Sequence, residues 1–205
     1  SQNDADTNTG ALVSPYTNQV AYQEETLFVR IENVGNFNCF DTSSFIIDVF
    51  DQPILAPFIF ELCDDALDGD DTNGFVAFNL PTINGQIIGT QDPTQFTVTY
   101  HFDQVNADAN TNPLASVYTN TIVNTDQIIV RVENNDNTDC YETATIDLEV
   151  YALPTVLTFV ELFQCDDDID GFTEFNLTEA NEILSVNFAT EIFTYHLILA
   201  DAEAG

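Results

Sequence analysis

Val130-Arg131-Val132-Glu133-Asn134 repeats Val29-Arg30-Ile31-Glu32-Asn33, and a cysteine follows each copy, Cys140 and Cys39. Around the later copy, Ile128, Val130 and Val132 fall on one face of an extended chain, and Ile129, Arg131 and Glu133 on the other. A period of two belongs to a strand. The run Asn134-Asn135-Asp136-Asn137 then predicts a turn.

The same echo runs outward through the whole chain. Tyr16-Thr17-Asn18 returns as Tyr118-Thr119-Asn120, and Cys63-Asp64-Asp65 as Cys165-Asp166-Asp167. Asp68-Gly69 matches Asp170-Gly171, with an insertion from Asp70 to Gly74 in the earlier copy. Phe78-Asn79-Leu80 returns as Phe175-Asn176-Leu177, and Thr99-Tyr100-His101 as Thr194-Tyr195-His196. An ordered series at a spacing of about 100 residues marks a tandem repeat. Pro53 and Pro154 stand at matching places and set the boundaries. Residues 54–153 form one complete unit, 1–53 the back half of a preceding one, and 154–205 the front half of the next.

Alternating segments predict strands at 57–62, 75–80, 95–102, 128–133 and 143–151 in the complete unit. They predict others at 27–32, 43–50, 156–163, 172–177 and 191–199 in the halves. One helical turn is expected near Ala200–Ala204, with Ala5–Thr9 as its counterpart. The expected fold is all-β: tandem immunoglobulin-like antiparallel β-sandwich repeats. A half sandwich exposes apolar faces and strand edges, so the halves need completion by a neighbouring repeat or another copy of the chain.

Phe, Tyr, Ile, Val and Thr recur while Met and Trp are absent, a palette that suits pleated sheets. The formal charge is −33, from 35 acidic and two basic residues. Such a chain repels itself unless salt or bound cations screen it. No basic surface exists to meet nucleic acid or anionic lipid, and no apolar run approaches the ~18 residues of a membrane span. Partners are expected to be cations, neutral glycans, basic proteins, or neighbouring repeats or copies of the same protein.

Asp166, Asp168 and Asp170, with Gly171 for the turn and Glu174 at the ninth position, have the spacing of a D-x-D-x-D-G calcium loop. The twelfth position is Leu177, so the bidentate glutamate of an EF-hand is missing. An acidic solvated turn is the competing reading. In the earlier copy Asp64, Asp65, Asp68 and Asp70 are the candidate ligands, with Ala66 at the third position. The alternating oxygens of Asp4, Asp6 and Asn8, and of Asn106, Asp108 and Asn110, are better explained by a short capped helix or turn. His101 and His196, like Arg30 and Arg131, recur in register. No nucleophile or orienting partner can be named for the histidines, so structural use is expected and no catalysis.

Four cysteines, none in a C-x-x-C pair, favour disulfides and an oxidising compartment. Cys39–Cys63 with Cys140–Cys165 would staple successive units across the prolines. Cys63–Cys140 would instead make the complete unit self-contained, provided that strand polarity brings the two within reach.

The phrases Cys165-Asp166-Asp167-Asp168-Ile169-Asp170-Gly171, Phe175-Asn176-Leu177-Thr178, Thr194-Tyr195-His196 and Ala200-Asp201-Ala202-Glu203-Ala204-Gly205 resemble tandem repeats of giant Bacteroidota surface proteins. So does Val130-Arg131-Val132-Glu133-Asn134. Those proteins include gliding-motility adhesins exported by the type IX secretion system. The resemblance implies an extracellular, cell-surface stalk or filament, stiffened by calcium and linked by disulfides. The alternative is a glycan-binding β-sandwich module of a secreted enzyme, which exposed aromatics grouped on one face would favour.

Overall fold

The alternation around Val130 builds the central hairpin of the complete unit, in a computed structural model that describes residues 1–157, 159–166 and 170–204. Strand β7 spans Thr125–Asn134 and β8 Tyr141–Tyr151. The earlier copy forms the equivalent hairpin, β1 (Glu25–Asn33) with β2 (Asn36–Ile47), in antiparallel register Leu27 to Phe45 and Val29 to Ser43. The other strands are β3 (Phe58–Cys63), β4 (Ala77–Asn79), β5 (Phe96–His101) and β6 (Val117–Thr119). They make a four-stranded sheet of order β3-β8-β7-β5 and a two-stranded sheet β4-β6, while β1-β2 stands as a third. The chain is β-rich.

Two compact units divide the described chain. The first takes Ser1–Phe60, Ala77–Thr119 and Asp126–Leu148, and the second Glu61–Val76, Asn120–Thr125 and Glu149–Gly205. In the first, β5 pairs antiparallel with β7, Tyr100 opposite Val130. Ile128, Val130, Val132, Ile146 and Leu148 are buried with Phe78, Leu80 and Phe96. Each such side chain contributes ~1.5–3 kcal/mol by leaving water. The Phe60 and Phe78 rings meet edge to face at 5.1 Å, tying β3 to β4. In the second unit the buried Asn120 side chain accepts the Val76 N–H at 2.8 Å and donates to the carbonyls of Gly74 and Ile122.

Short helices interrupt the strands more often than the pattern suggested: α1 (Gln2–Thr7), α2 (Asn84–Ile88), α3 (Gln104–Ala109), α4 (Asn181–Leu184) and α5 (Leu199–Glu203). α1 and α3 are the same element in two copies. Ser1 and Asp103 cap their first turns, and Asn8 and Asn110 close them in the left-handed conformation. The Asp4 and Asn106 clusters are thus capped helices.

The strands expected at 156–163, 172–177 and 191–199 do not form among the described residues. A 3₁₀ turn at Leu177–Ala180, α4, a 3₁₀ turn at Phe188–Thr190 and α5 are the regular structure there. The physical reason is pairing. In the complete unit β3 and β5 lie against β8 and β7, and among the described residues no strand pairs in that way with 156–163, 172–177 or 191–199.

Strand β3 departs from an all-antiparallel plan. It neighbours β8, and the N–H of Asp64, just after β3, donates to the carbonyl of Tyr151 at the end of β8. Gln52, upstream of β3, reaches Tyr141 and Glu142 at the start of β8. The segment therefore runs in the same direction as β8.

Candidate functional site at the junction between repeats

The β7–β8 hairpin has two ends, with Cys140 at one and Cys63 near the other. One end is the β7–β8 turn, where the Asn134 N–H donates to the Cys140 carbonyl at 2.9 Å. Asp51 and Gln52 dock there. Asn134 Nδ2 donates to the Asp51 carbonyl at 3.0 Å, Gln95 Nε2 to the Asp51 carboxylate at 3.0 Å, and Gln52 Nε2 to Glu142 at 3.3 Å. Neutral amides bridge carboxylates here, a practical choice in a chain without lysine. The Tyr22 hydroxyl also bonds Asp51, which raises the tyrosine's pKa.

The other end is the close of β8. Cys63 ends β3 there, next to the Asp64–Tyr151 bond of 2.8 Å. The Tyr151 hydroxyl donates to Glu149 and Glu61, and these bonds and the two nearby carboxylates push its pKa up to about 12. Between Cys63 and Cys140 runs the whole of β8, 11 residues, or ~36 Å at ~3.3 Å per residue. A disulfide needs α-carbons within ~7 Å, so the self-contained pairing Cys63–Cys140 does not fit. Strand polarity is the cause. All four cysteines are free thiols in the structure, with Cys39, Cys63 and Cys165 exposed and Cys140 half-buried.

Asp64, a candidate metal ligand, is buried: one oxygen accepts the Asp65 N–H and the other the Gly74 N–H at 2.7 Å, closing the loop. In the later copy Asp166 accepts from Gly171 at 2.8 Å. Asn73-Gly74-Phe75 thus matches Asp170-Gly171-Phe172, and Phe75 and Phe172 N–H groups bond Asn73 and Asp170 alike. The inserted residues therefore precede Asn73 instead of spanning Asp70–Gly74. Gly74 has φ +75, and a Cβ there would stand 2.2 Å from Asn124 Oδ1, so glycine is required.

The remaining acids of the earlier loop also hold local N–H groups: Asp65 that of Leu67, Asp68 that of Asp70, and Asp70 that of Thr72. The Asn73 amide and these backbone bonds lower the pKa of Asp68. Glu174 is exposed, and Asp168 lies outside the described residues. Among the described residues no three His, Cys, Asp or Glu side chains converge on one point.

Both arginines have one structural task. Arg131, 4% exposed, pairs with Glu133 at 2.9 Å and donates to the carbonyls of Ala107, Asp108 and Thr138. Its guanidinium lies 3.5 Å from the Tyr141 ring centroid. Arg30 does the same with Glu32, Ala5, Asp6 and Phe40. His101 is buried, with its ring nitrogens on Thr111 O and Thr99 Oγ1. The amides of Gln52, Gln95 and Asn134 that meet Asp51 and Glu142 were not singled out from the sequence; the repeated Glu-Asn at 32–33 and 133–134 was the hint.

A family model described as the Flavobacterium inter-domain disulphide bond domain matches three stretches, 1–53, 59–154 and 161–205. No curated protein matches the chain. No solved structure does so either.

Proposed function

Since the chain belongs to the Flavobacterium inter-domain disulphide bond domain family, we infer that it is a structural and adhesive repeat of an extracellular protein whose units are linked by disulfides. The observation that carries this reading is the junction. The end of one repeat, Asp51 and Gln52, sits on the Cys140 end of the next. Cys63 lies at the opposite end, where the following repeat begins. The β3-type cysteine of one repeat (the position of Cys63 and Cys165) thereby faces the hairpin-turn cysteine (the position of Cys39 and Cys140) of the repeat that follows it. Residues 54–153 are the complete sandwich, and 1–53 and 154–205 are halves of its neighbours. Disulfides persist in oxidising surroundings, which supports an extracellular location. The resemblance to gliding-motility adhesins supports display at the cell surface after type IX export.

The aromatics of the complete unit favour a stalk over a glycan-binding face. Phe78, Phe96 and Tyr100 are in its interior. Differential scanning calorimetry of the oxidised protein tests the structural role. Reduction should lower the melting temperature, since losing a native disulfide typically costs ~2–5 kcal/mol. An unchanged melt on reduction would reject it.

Calcium on Asp166, Asp168, Asp170 and Glu174 belongs to the same proposal, as does calcium on Asp64, Asp65, Asp68 and Asp70. A carboxylate oxygen that accepts one N–H keeps a second lone pair, so the turn bonds and a hard cation are compatible. In a longer chain carrying the whole unit that starts at residue 154, millimolar calcium should stabilise by ~1 kcal/mol. Replacing Asp166, Asp168 and Asp170 with Asn should abolish the rise in melting temperature. Equal melts with and without calcium in the parent chain would leave the loop a solvated turn.

A further inference from the structure

The first and last strands of residues 54–153 lie side by side. β3 neighbours β8 and runs in the same direction. The chain therefore enters β3 at the end of the pair that carries the β7–β8 turn, and it leaves β8 at the opposite end. Tension applied between Pro53 and Pro154 pulls β3 one way and β8 the other along their common axis. The evenly spaced bonds of a parallel ladder are then loaded together and must break together. With antiparallel strands, entry and exit would share one end, and the same tension would open the bonds one at a time.

Both ends of β3 are anchored. At the entry, the Asp51 carbonyl accepts from Asn134 Nδ2 at 3.0 Å, and Pro53 is buried. The Gln91 side chain then pairs with the Ile54 backbone as a strand would. Its Oε1 accepts the Ile54 N–H at 2.8 Å, and its Nε2 donates to the Ile54 carbonyl at 3.0 Å. At the exit, the Asp64 N–H donates to the Tyr151 carbonyl at 2.8 Å, and the Tyr151 hydroxyl bonds Glu61 at 2.9 Å. A second path joins the same two strand ends. The buried Asp64 carboxylate accepts the Gly74 N–H at 2.7 Å. The Gly74 carbonyl accepts the Asn124 N–H at 2.9 Å, and the Asn124 carbonyl accepts the Val150 N–H at 3.0 Å. Between these ends the Phe78 ring holds Phe60. Anchored in this way, β3 does not fray, and tension reaches the ladder whole.

We propose that residues 54–153 are a load-bearing module in which the parallel β3–β8 pair is the mechanical clamp against tension along the chain. The proposal rests on the reading of the chain as a structural repeat and adds the bonds that carry its load. Rupture under force is governed by the unfolding rate and not by equilibrium stability. A ladder loaded in shear slows that rate, because no bond opens ahead of the others. The same fold pulled in another direction lacks this protection, so the clamp is separable from stability. It needs no disulfide.

The test is single-molecule force spectroscopy on the full-length chain with its thiols kept reduced. One Asp136→p-azidophenylalanine chain serves both pulling geometries, so chemical stability is common to them. In the first geometry the handles are at the two termini, which shears β3 against β8. In the second they are at the amino terminus and at position 136. Asp136 is exposed in the β7–β8 turn, at the same end as the entry to β3, so this geometry peels β3 away from its start. The released length, at ~3.6 Å per residue, identifies the unit that opens. At equal loading rate the terminal geometry should need a severalfold higher force than the peeling one. Equal forces, a higher force on peeling, or no step of the length of residues 54–153 in the terminal geometry would overturn the clamp. The structural-repeat reading is judged separately, by the effect of reduction on the melting of the oxidised protein.

Discussion

Arginine 131 shows how one residue organises a chain otherwise almost wholly acidic. Its five N–H groups reach Glu133 and three carbonyls, binding the end of α3 to the hairpin. Arg131→Ala leaves Glu133 buried without its cation, and urea unfolding should show a loss of ~3–5 kcal/mol. The equivalent Arg30→Ala should lose less, since Arg30 and Glu32 are 13% and 21% exposed. A second residue-scale prediction concerns Tyr100, whose hydroxyl donates to Leu80 O and Asn84 Oδ1. Burial raises its pKa well above the ordinary 10.0. Folding therefore favours the neutral phenol. Its contribution is fully present below about pH 10 and is lost as pH rises beyond that. Melting temperature should fall above pH 10 in the parent chain and fall less steeply in Tyr100→Phe. The repetition of Arg and His in register was legible in the sequence as structural use. The carbonyls that they bind were not, because backbone acceptors leave no mark in a residue pattern.

Elements were legible where a strand has its partner in the chain. Alternation placed β1, β3, β5, β7 and β8 to within a few residues, since half-buried strands show their period directly. β2 was placed too late, because its early residues, Asn36 to Asp41, pair with β1 while remaining exposed. Helices α2 and α4, of five and four residues, are too short for a 3.6-residue period to register. Segments 172–177 and 191–199 have strand patterns and no strand, because pattern reports the face a segment offers and not whether a partner is present. Hydrogen exchange should show this difference. Amides of β7 and β8 should be protected to nearly the global stability, while those of 191–199 exchange within seconds to minutes. Equal protection of the two would mean that the front half is folded by itself.

For the whole molecule, the sequence revealed the repeat, its period and the cysteines at equivalent places. It left their pairing open between stapled neighbours and a self-contained unit. The direction of β3 along β8 decides against the second, and direction cannot be read from alternation, which is the same for parallel and antiparallel pairing. The junction was equally hidden. Asp51 and Asn134 are 83 residues apart and polar, and nothing in either points to the other. A charge of −33 makes packing of successive repeats electrostatically unfavourable, and disulfides at the junctions would offset a repulsion that salt only screens. The measurement that bears most directly on disulfide-linked repeats is mass mapping of the oxidised chain, digested without reduction. The account predicts no free thiol, with every bond joining Cys39 or Cys140 to Cys63 or Cys165 of an adjoining repeat. Four free thiols, or a Cys63–Cys140 bond within one repeat, would contradict it.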